Sequence, residues 1–537
     1  SYLKVSDNEN VSLICIIESF SIEVRESKAG TPERVYIIDA YPLGTISGGE
    51  FRRGGDQLAI PPKKVIPATS EEVGAIFANA FAEGKRFCFS VLSRQRDIHV
   101  PVHGDRFFNK HIAVIGATGS GKSHTIAKIV QEAVVAKDGD YDGINNSHIV
   151  IFDIHSEYTS AFPSARVLGV DDLVLPYWLL NEEEMDEMFL ESGDRNNYNQ
   201  ESLLRTIVTF CKRKRNPDMK RIYFDSPLPY AIDEMLSCLH NLSRETKDAD
   251  DPLHIVTRDG DKNFANEEEK LLWYCEQAIE FAPTKRGVIN RGMYADGSID
   301  KFVGRLVAKV RNPRLKFIFG DEAATCSFDE VLRQLTGYGD ADSANVTIVD
   351  LSGIPFEVLS ISVSLITRLL FDYGYYFRRS HGKSETPLLL VYEEAHKYAP
   401  QSDRARYRSS LMAIERVAKE GRKYGVSLLI SSQRPSEISE TIFAQCSNFL
   451  VMRLTNPDDQ SYVRRLLPDT LGNMTAGLPA FRAGEALLIG DASVMPSMVY
   501  VTPCHPEPSS ADIPYFAIWK QKWQPVDFLR ITDEWRK

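Results

Sequence analysis

The stretch of sequence that decides the fold is Gly116-Ala-Thr-Gly-Ser-Gly-Lys122-Ser123. It follows a short apolar run, His111 to Ile115, and opens a segment of helical character from about Gly121 to Ala136. Glycines allow successive backbone N–H groups to turn toward an anion at the positive end of the following helix. The full G-x-x-x-x-G-K-[ST] pattern between a strand and a helix therefore predicts a phosphate-binding loop. The alternative is a glycine turn with an incidental lysine.

The residue types in this loop predict their chemical tasks. Lys122 is expected to reach the β and γ phosphates of a nucleotide, and the Ser123 hydroxyl is expected to bind Mg²⁺. ATP and Mg²⁺ are therefore the expected cofactors, and the protein is predicted to be an ATP hydrolase. The residues assigned to nucleotide binding are Gly116, Ala117, Thr118, Gly119, Ser120, Gly121, Lys122, Ser123 and His124.

A second apolar run ends in two acids, Glu393 and Glu394. In ATP hydrolases one such acid orients the metal shell, and the next polarises the water that attacks the γ-phosphate. We assign Glu393 to the metal and Glu394 to the water. The alternative is a strand that runs into a solvated helix start with two acids. For His396, a packing or capping role is as compatible with the sequence as a catalytic one.

Further polar residues are candidates for contacts with the γ-phosphate. The apolar run Val426 to Ser432 ends before Gln433, whose amide could sense that phosphate; a polar strand end is the alternative. The segment Ala413 to Tyr424 is predicted to be a helix that carries Arg416 and Arg422. Either arginine could be a finger that reaches a neighbouring subunit's ATP, and a solvated basic face is the alternative.

Length and composition define the class of protein. The 537 residues are 43% hydrophobic and 26% charged, as in ordinary globular proteins, and the length predicts two to four structural units. We predict no transmembrane span, because charges interrupt every long apolar stretch, and no secretory signal. The eight cysteines include no CxxC pair, which argues against a zinc site and favours a reducing cytoplasm.

Periodicity divides the chain into five parts. Residues 1–95 contain short alternating runs, Leu13 to Ser21 and Val35 to Ala40, which are typical of a small β-barrel. Residues 96–177 and 341–503 alternate strands with helices, which predicts an α/β fold with a parallel sheet. Residues 178–340 are helical and polar, as expected of an insertion, and residues 504–537 form a tail.

Together these residues resemble the HerA-type ATPases, in the HerA/FtsK branch of hexameric P-loop motors. The resemblance covers most of the chain and includes the bacterial HerA proteins of antiphage defence. The stretches that carry it occur in the same order along the chain: His111 to Ser123, Asp153 to Tyr158, Leu175 to Leu180, Ile348 to Pro355, Glu393 to His396, Arg416 to Gly425 and Ser431 to Ser436.

The resemblance implies a RecA-like core with a helical insertion, an amino-terminal HAS-type β-barrel and a carboxy-terminal brace that packs on a neighbour. It also implies a homo-hexamer with double-stranded DNA in its pore. By matching position, Gln433 is the sensor and Arg422 or Arg416 is the finger that acts in trans. Lys110 stands where a second trans-acting basic residue is expected, although lysine lacks the bidentate fork of arginine.

The resemblance further implies a partner effector that docks on the barrel: a NurA-like nuclease, a sirtuin-like protein or another nuclease. The favoured function is an ATP-driven double-stranded DNA translocase or helicase in DNA processing or antiphage defence. The alternative is an ATPase scaffold that assembles and regulates the effector. A secretion or conjugation motor is disfavoured because no membrane segment is predicted.

Candidate DNA contacts are less sharply defined by the sequence. We expect them in the loop after Asp153, in residues 434–445 and in the run Arg404, Arg406, Arg408. The basic run Lys212 to Arg215 is instead interpreted as a solvated helix end. Because the net charge of the chain is −11, DNA binding is expected to be weak and strongly salt-dependent.

Overall fold

The structure is a computed structural model that describes residues 2–6, 11–26, 32–48, 50–54, 64–190, 197–339, 343–401, 408–467, 472–510 and 513–536. Its amino-terminal part is an antiparallel sheet followed by a capped helix. The elements are β1 (Tyr2–Ser6), β2 (Val11–Glu26), β3 (Pro32–Ser47), β4 (Glu50–Arg53), β5 (Lys64–Pro67) and α1 (Ser70–Ala78). The strands lie in the order β4-β3-β2-β1-β5. At 16 residues each, β2 and β3 are longer than the predicted runs.

The first part of the α/β core contains the phosphate-loop region. Its elements are β6 (Arg86–Leu92), β7 (His99–His103), α2 (Gly104–Asn109), β8 (Ile112–Ile115), α3 (Lys122–Val135), β9 (His148–Asp153) and β10 (Arg166–Leu168). The strand predicted before the helix is confirmed as β8. The predicted boundary at residue 95 falls between β6 and β7, which pair with each other in the large sheet.

Residues between β10 and the second half of the core form an insertion of helices with one small sheet. Its elements are α4 (Glu182–Phe189), α5 (Asn197–Arg215), α6 (Ile232–Leu242), β11 (Thr246–Asp248), β12 (His254–Ile255), β13 (Lys262–Asn263), α7 (Glu267–Glu276), β14 (Ile289–Arg291), α8 (Asp300–Val310), α9 (Lys316–Phe319), α10 (Asp321–Thr325) and α11 (Phe328–Thr336). The sheet, in the order β13-β12-β11-β14, was not predicted. Strands of two or three residues are too short to show an alternating pattern.

The second part of the core completes the large sheet, and two short helices follow it. The elements are β15 (Val346–Asp350), α12 (Phe356–His381), β16 (Leu388–Tyr392), α13 (Ser409–Glu420), β17 (Val426–Ser432), α14 (Glu440–Gln445), β18 (Asn448–Val451), α15 (Pro457–Leu466), α16 (Gly472–Ala476), β19 (Glu485–Gly490), β20 (Ser497–Val501), α17 (Tyr515–Trp519) and α18 (Phe528–Arg536).

The helix predicted over Ala413 to Tyr424 ends earlier, at Glu420, and continues as a 3₁₀ turn over Gly421–Tyr424. A Cβ atom on Gly421 would lie 2.5 Å from the Val426 carbonyl oxygen, so a larger residue does not fit there. Gly425 then takes a φ of 75°, which ends the turn at the start of β17. Arg422 therefore lies on a tight turn and not on the face of an α-helix.

The large sheet has eleven strands in the order β10-β15-β9-β16-β17-β8-β18-β19-β20-β6-β7. The strands from β10 to β18 run parallel, and the remaining pairs are antiparallel. Every residue of β8, β16 and β17 is buried, as expected when helices cover both faces of a parallel sheet. The predicted α/β class is confirmed. Within the described ranges, no helix is long and apolar enough to cross a bilayer.

The basic run at the end of α5 departs from its interpretation as a solvated helix end. Lys212 is only 1% exposed. Its ammonium group donates hydrogen bonds to the carbonyl oxygens of Phe224 at 2.5 Å and Ser226 at 2.7 Å. The solvated interpretation is therefore wrong for Lys212, because this side chain turns inward to hold the loop that follows its own helix.

Candidate nucleotide-binding site

The loop between β8 and α3 has the backbone geometry of an anion cradle. Gly119 and Gly121 adopt φ angles of 71° and 99°, in the left-handed region that glycine enters without strain. A Cβ atom on Gly116 would lie 2.5 Å from Ser120 Oγ, so the tight turn excludes any larger residue. With α3 beginning at Lys122, the loop directs backbone N–H groups toward the space above the helix terminus.

The order of strands in the sheet brings the predicted site residues together. β9, β16, β17 and β8 are neighbours and run parallel, so their carboxyl ends share one edge of the sheet. Asp153 ends β9, Glu393 and Glu394 follow β16, and Gln433 follows β17. These residues, separated by up to 280 positions along the chain, consequently lie along the same edge of the sheet as the phosphate loop.

Lys122 lies inside this arrangement with 9% of its side chain exposed. Its Nζ is 3.5 Å from the Ala117 carbonyl oxygen and 3.8 Å from Glu394 Oε1. Burial lowers the pKa of the Lys122 ammonium, while the negative charges of Glu394 and Glu393 oppose that shift. The amine therefore stands within the loop, opposite an acid, where an incoming phosphate would find a positive charge.

Glu394 is held in a strained conformation beside the loop. Its φ of 45° is unusual for a residue with a side chain, and Ser156 is the other such residue in the described part of the chain. Its Oε2 lies 3.2 Å from His396 Nδ1. Burial would raise the pKa of Glu394, but the bond to His396 and the charges of Lys122 and His396 bring it below the ordinary value. Glu394 is therefore ionised at neutral pH.

His396 contacts both this acid and the end of β17. Its Nδ1 is also 3.3 Å from Ser432 Oγ at the end of β17. The Glu394 Oε2 atom further accepts a hydrogen bond from the backbone N–H of Gln433 at 3.4 Å. The role of His396, whether in packing or in catalysis, stays a prediction.

Gln433 reaches the phosphate loop directly. Its Oε1 accepts a hydrogen bond from Thr118 Oγ1 at 2.5 Å. A side chain in this position would be displaced or re-oriented when phosphate oxygens enter the loop. This contact fits the sensing role expected of Gln433, which remains a prediction.

Glu393 occupies a different electrostatic environment from its neighbour. It is 4% exposed, and its Oε2 has no hydrogen-bond partner in the described part of the structure. Burial and the nearby charges of Asp153 and Glu157 raise the pKa of this carboxyl to about 9. A buried oxygen without a partner, among acids at the carboxyl edge of the sheet, fits the binding of a divalent cation.

From the raised pKa of Glu393 we predict how the stability of the folded protein depends on pH. The folded chain keeps the Glu393 proton between the ordinary pKa of 4.5 and the folded value of about 9, whereas the unfolded chain loses it. Stability from this group is therefore complete below pH 4.5 and is lost as the pH rises toward 9. We expect Glu393→Gln to be more stable than the wild type at pH 8, by at least about 1 kcal/mol, in urea unfolding without nucleotide or metal.

The control for this experiment is Glu437→Gln, which neutralises an exposed acid paired with Arg434. In this control, the free energy of unfolding should change with pH as it does in the wild type. The comparison covers about pH 5 to pH 8, the range in which most proteins are most stable. If the free energy of unfolding changed with pH in the same way in the Glu393→Gln variant and the wild type, Glu393 would be ionised in the folded protein.

The remaining basic candidates lie away from this chain's own phosphate loop. Arg422 precedes β17, so it lies at the amino edge of the sheet, where it lines a cavity of about 870 Å³. Arg416 packs on the Phe371 ring at 4.4 Å, and its Nη1 lies 3.7 Å from Asp372 Oδ1. Lys110, just before β8, forms an ion pair with Asp491. None of these contacts joins a basic candidate to the loop.

Comparison with known protein families shows which family this chain belongs to. The model of the "Helicase HerA, central domain" family matches residues 89–370, which is more than half of the chain. The chain belongs to the HerA helicase family. This confirms the resemblance inferred from the motifs, and this HerA-family protein is accordingly a nucleotide-binding ATP hydrolase.

Several curated proteins are similar to this HerA-family chain. A probable helicase of Methanocaldococcus jannaschii is 22% identical over 483 residues, which cover 88% of this chain and 78% of its own. The DNA double-strand break repair helicase HerA of Sulfurisphaera tokodaii is 23% identical over 480 residues, covering 88% and 80%. The HerA helicase of Pyrococcus furiosus is 35% identical over 115 residues, which cover 21% of this chain and 20% of its own.

Two solved structures are also similar to this HerA-family protein. VirB4 of Thermoanaerobacter pseudethanolicus has a TM-score of 0.48 at 13% identity, covering 81% of this chain and 98% of its own. The plasmid coupling protein TrwB, in complex with ADP and Mg²⁺, has a TM-score of 0.47 at 11% identity, covering 82% and 94%.

Sequence reasoning missed two contacts of this HerA-family site. Arg453 Nη2 donates to the carbonyl oxygens of Gly119 at 3.2 Å and Thr118 at 3.4 Å. The signal was a strand next to β8 that leads into an arginine, and only the order of strands shows that it reaches the loop. His124 Nε2 lies 3.7 Å from Glu507 Oε2, so the segment after β20 packs against the start of α3.

Proposed function

We propose that this protein is an ATP-driven motor that moves double-stranded DNA through a ring of six copies. The observation that carries the proposal is the position of Arg422. It is exposed at the amino edge of the sheet and has no ion pair in the described part of the chain, while Lys122 and Glu394 lie at the carboxyl edge. A head-to-tail contact between copies, which closes into a ring, would bring the two edges together.

Each residue of the composite site has a proposed task. Lys122 binds the β and γ phosphates, and Ser123 and Glu393 hold Mg²⁺, which would neutralise charge on the phosphate oxygens. Glu394, ionised and fixed by His396, polarises the attacking water. Gln433 senses the γ-phosphate through its contact with Thr118. The arginine of the next subunit completes the site.

The carboxy-terminal segment supports assembly into a ring. Residues 513–536, which include α17 and α18, leave many large apolar side chains in solvent. Trp519 is 75% exposed, Trp523 94% and Trp535 86%. An apolar surface of this kind on one short segment marks an interaction site. We assign the segment to a neighbouring copy, as the brace inferred from the sequence requires.

Removal of residues 513–536 is expected to shift the protein from hexamers to smaller species at micromolar concentration. The physical reason is the loss of the apolar area that these side chains would bury between copies. Native mass spectrometry measures the distribution. The control, Lys520→Ala with Lys522→Ala in the same segment, removes charge but retains the tryptophans. Unchanged hexamers in the truncated protein would rule out the brace.

The hairpin of β2 and β3 supports docking of a partner. Its outer half exposes one apolar face that includes Phe20 and Tyr36, whose rings stack with centroids 6.0 Å apart. The other members of this face are Ile22, Val24 and Ile38, which are between 49% and 68% exposed. We assign the face to the effector, a NurA-like or other nuclease or a sirtuin-like protein, in DNA processing or antiphage defence.

DNA in the ring would meet loops at the strand ends. The loop after Asp153 and residues 434–445 both follow strands at the carboxyl edge of the sheet, and they keep their place as proposed contacts. Arg408 precedes α13, whereas Arg404 and Arg406 lie outside the described residues. A chain of net charge −11 should bind DNA in a strongly salt-dependent way.

Double-stranded DNA is expected to raise the ATP turnover of the wild-type ring, and ATP is expected to drive displacement of a third strand from a DNA triplex in one direction. A Lys122→Ala ring should bind the same DNA without displacing that strand. If the ATP turnover did not change with DNA but changed on addition of the effector, the result would favour the ATPase scaffold over the DNA motor. The exposed face of the hairpin is the observation that favours this second function.

A further inference from the structure

A cavity of about 640 Å³ lies in the helical insertion, between the end of α5, the loop over residues 216–229 and α7. Its lining includes five charged residues and one tyrosine: Arg213, Lys214, Lys220, Arg221, Glu268 and Tyr223. It shares no lining residue with the nucleotide-binding site. Four of these six side chains carry positive charge, in a chain whose net charge is −11.

Most of this positive charge is not neutralised by the residues that the structure describes. Lys214 Nζ lies 3.1 Å from Glu234 Oε2 and is compensated. Arg213, Lys220 and Arg221 are exposed, and their side chains form no ion pair or hydrogen bond with the residues that the structure describes. Glu268 on α7 is the one acid in the lining. The cavity therefore keeps an excess of about two positive charges that repel one another unless an anion enters.

Hydrogen bonds from two side chains of the same region fix the backbone that carries these cations. Lys212 binds the carbonyl oxygens of Phe224 and Ser226, as described above. Asn216 Nδ2 donates to the carbonyl oxygens of Lys212 at 2.8 Å and Pro229 at 3.1 Å. The loop is thus tied to the end of α5 near both of its ends. The basic side chains are presented by a fixed frame, which reduces the entropy lost when a ligand binds.

We propose that this cavity, the basic pocket of Arg213, Lys220 and Arg221, binds the phosphodiester backbone of DNA in addition to the proposed contacts at the strand ends. The arginine forks suit paired contacts with phosphate oxygens, and the lysine adds a point charge. Tyr223, whose side chain is 66% exposed at the rim, offers a face on which an unpaired base can stack. This assignment rests on the proposed action on DNA and adds a second contact region to it.

The test compares two triple variants that change the net charge equally. The pocket variant is Arg213→Gln, Lys220→Gln, Arg221→Gln. The control variant is Arg258→Gln, Arg311→Gln, Lys316→Gln, which removes three exposed cations of the same insertion that are each paired with an acid. DNA dissociation constants are measured by fluorescence anisotropy between about 50 and 200 mM salt, where phosphate contacts determine the slope. Thermal unfolding midpoints verify that both variants fold.

The slope of log K against log salt should fall by about two to three for the pocket variant, since each lost phosphate contact removes about one. The control should keep the wild-type slope, although its affinity falls with the change in net charge. Equal slopes for the pocket variant and the wild type would overturn the proposal. Such a result would leave the motor intact if the wild type still displaces the triplex strand.

Free nucleotide or inorganic phosphate is the other source of the same chemistry. Calorimetry with ATP or phosphate on Lys122→Ala protein, which lacks the phosphate-loop lysine, separates the two sources. Binding that disappears when the pocket substitutions are added would assign the pocket to free phosphates and overturn the DNA assignment. Conversely, a wild type that binds DNA with a pocket-dependent slope but does not move it would sink the motor and leave the pocket.

Discussion

Glu394→Gln is expected to lower the rate of ATP hydrolysis by about 10²- to 10⁴-fold, the range for loss of a positioned base. Glutamine has the same shape but cannot hold the negative charge that the bond to His396 and the Lys122 ammonium stabilise on Glu394. ATP binding and ring assembly should persist, because the phosphate loop and the brace are untouched. Steady-state turnover and equilibrium binding of a fluorescent ATP analogue measure the two effects.

The matched control is Glu280→Gln, which changes an exposed acid of the helical insertion that is likewise paired with an arginine, Arg258. It is expected to hydrolyse ATP at the wild-type rate. Full turnover by the Glu394→Gln variant would remove Glu394 from its role and direct attention to Glu393. Loss of ATP binding in the variant would instead show that the Glu394 charge is needed to hold Lys122 in place.

Mixed rings of Arg422→Ala and Lys122→Ala subunits are expected to recover activity that neither variant has alone. Loss of an arginine finger costs about 10³- to 10⁵-fold in rate. In a mixed ring, an Arg422→Ala subunit contributes an intact phosphate loop, and its Lys122→Ala neighbour contributes an intact arginine. At equal amounts about one interface in four is complete, so activity should reach a fraction of the wild type. No recovery at any ratio would contradict a finger that acts between subunits.

The same mixing experiment distinguishes Arg422 from the other basic candidates. Arg416 is held by Asp372 and the Phe371 ring within its own chain, so Arg416→Ala is expected to affect packing more than hydrolysis. Lys110 is paired with Asp491 and serves as a second test position. Recovery by Arg416→Ala or Lys110→Ala rings mixed with Lys122→Ala, in place of Arg422→Ala, would move the finger to that residue.

The central elements of the fold could be predicted because their sequence signals are local. β17 has the predicted bounds, and β8 differs from its predicted run by one residue. Buried parallel strands appear as continuous apolar runs, and the end of each run places the polar residue that follows it. The acids after β16 and the glutamine after β17 were therefore found without knowledge of the sheet order.

Features that depend on contacts between distant segments were not visible in the sequence. The contact of Arg453 with the phosphate loop exists because β18 lies beside β8 in the sheet. The inward turn of Lys212 depends on a loop that returns over the end of its helix. A run of basic residues has the same sequence whether its side chains are solvated or turn inward. Composition carries no information on which side of a helix contacts a later segment.

The phosphate loop was determined by the sequence alone, since its glycines and lysine act through local backbone geometry. The opposite protonation preferences of Glu393 and Glu394 were decided by the tertiary structure. One carboxyl is buried with Asp153 and Glu157, and the other is bound to His396 and opposite Lys122. The ionisation of a buried acid depends on the charges around it, and those charges come from β9, the loop after it, the turn after β16 and the start of α3.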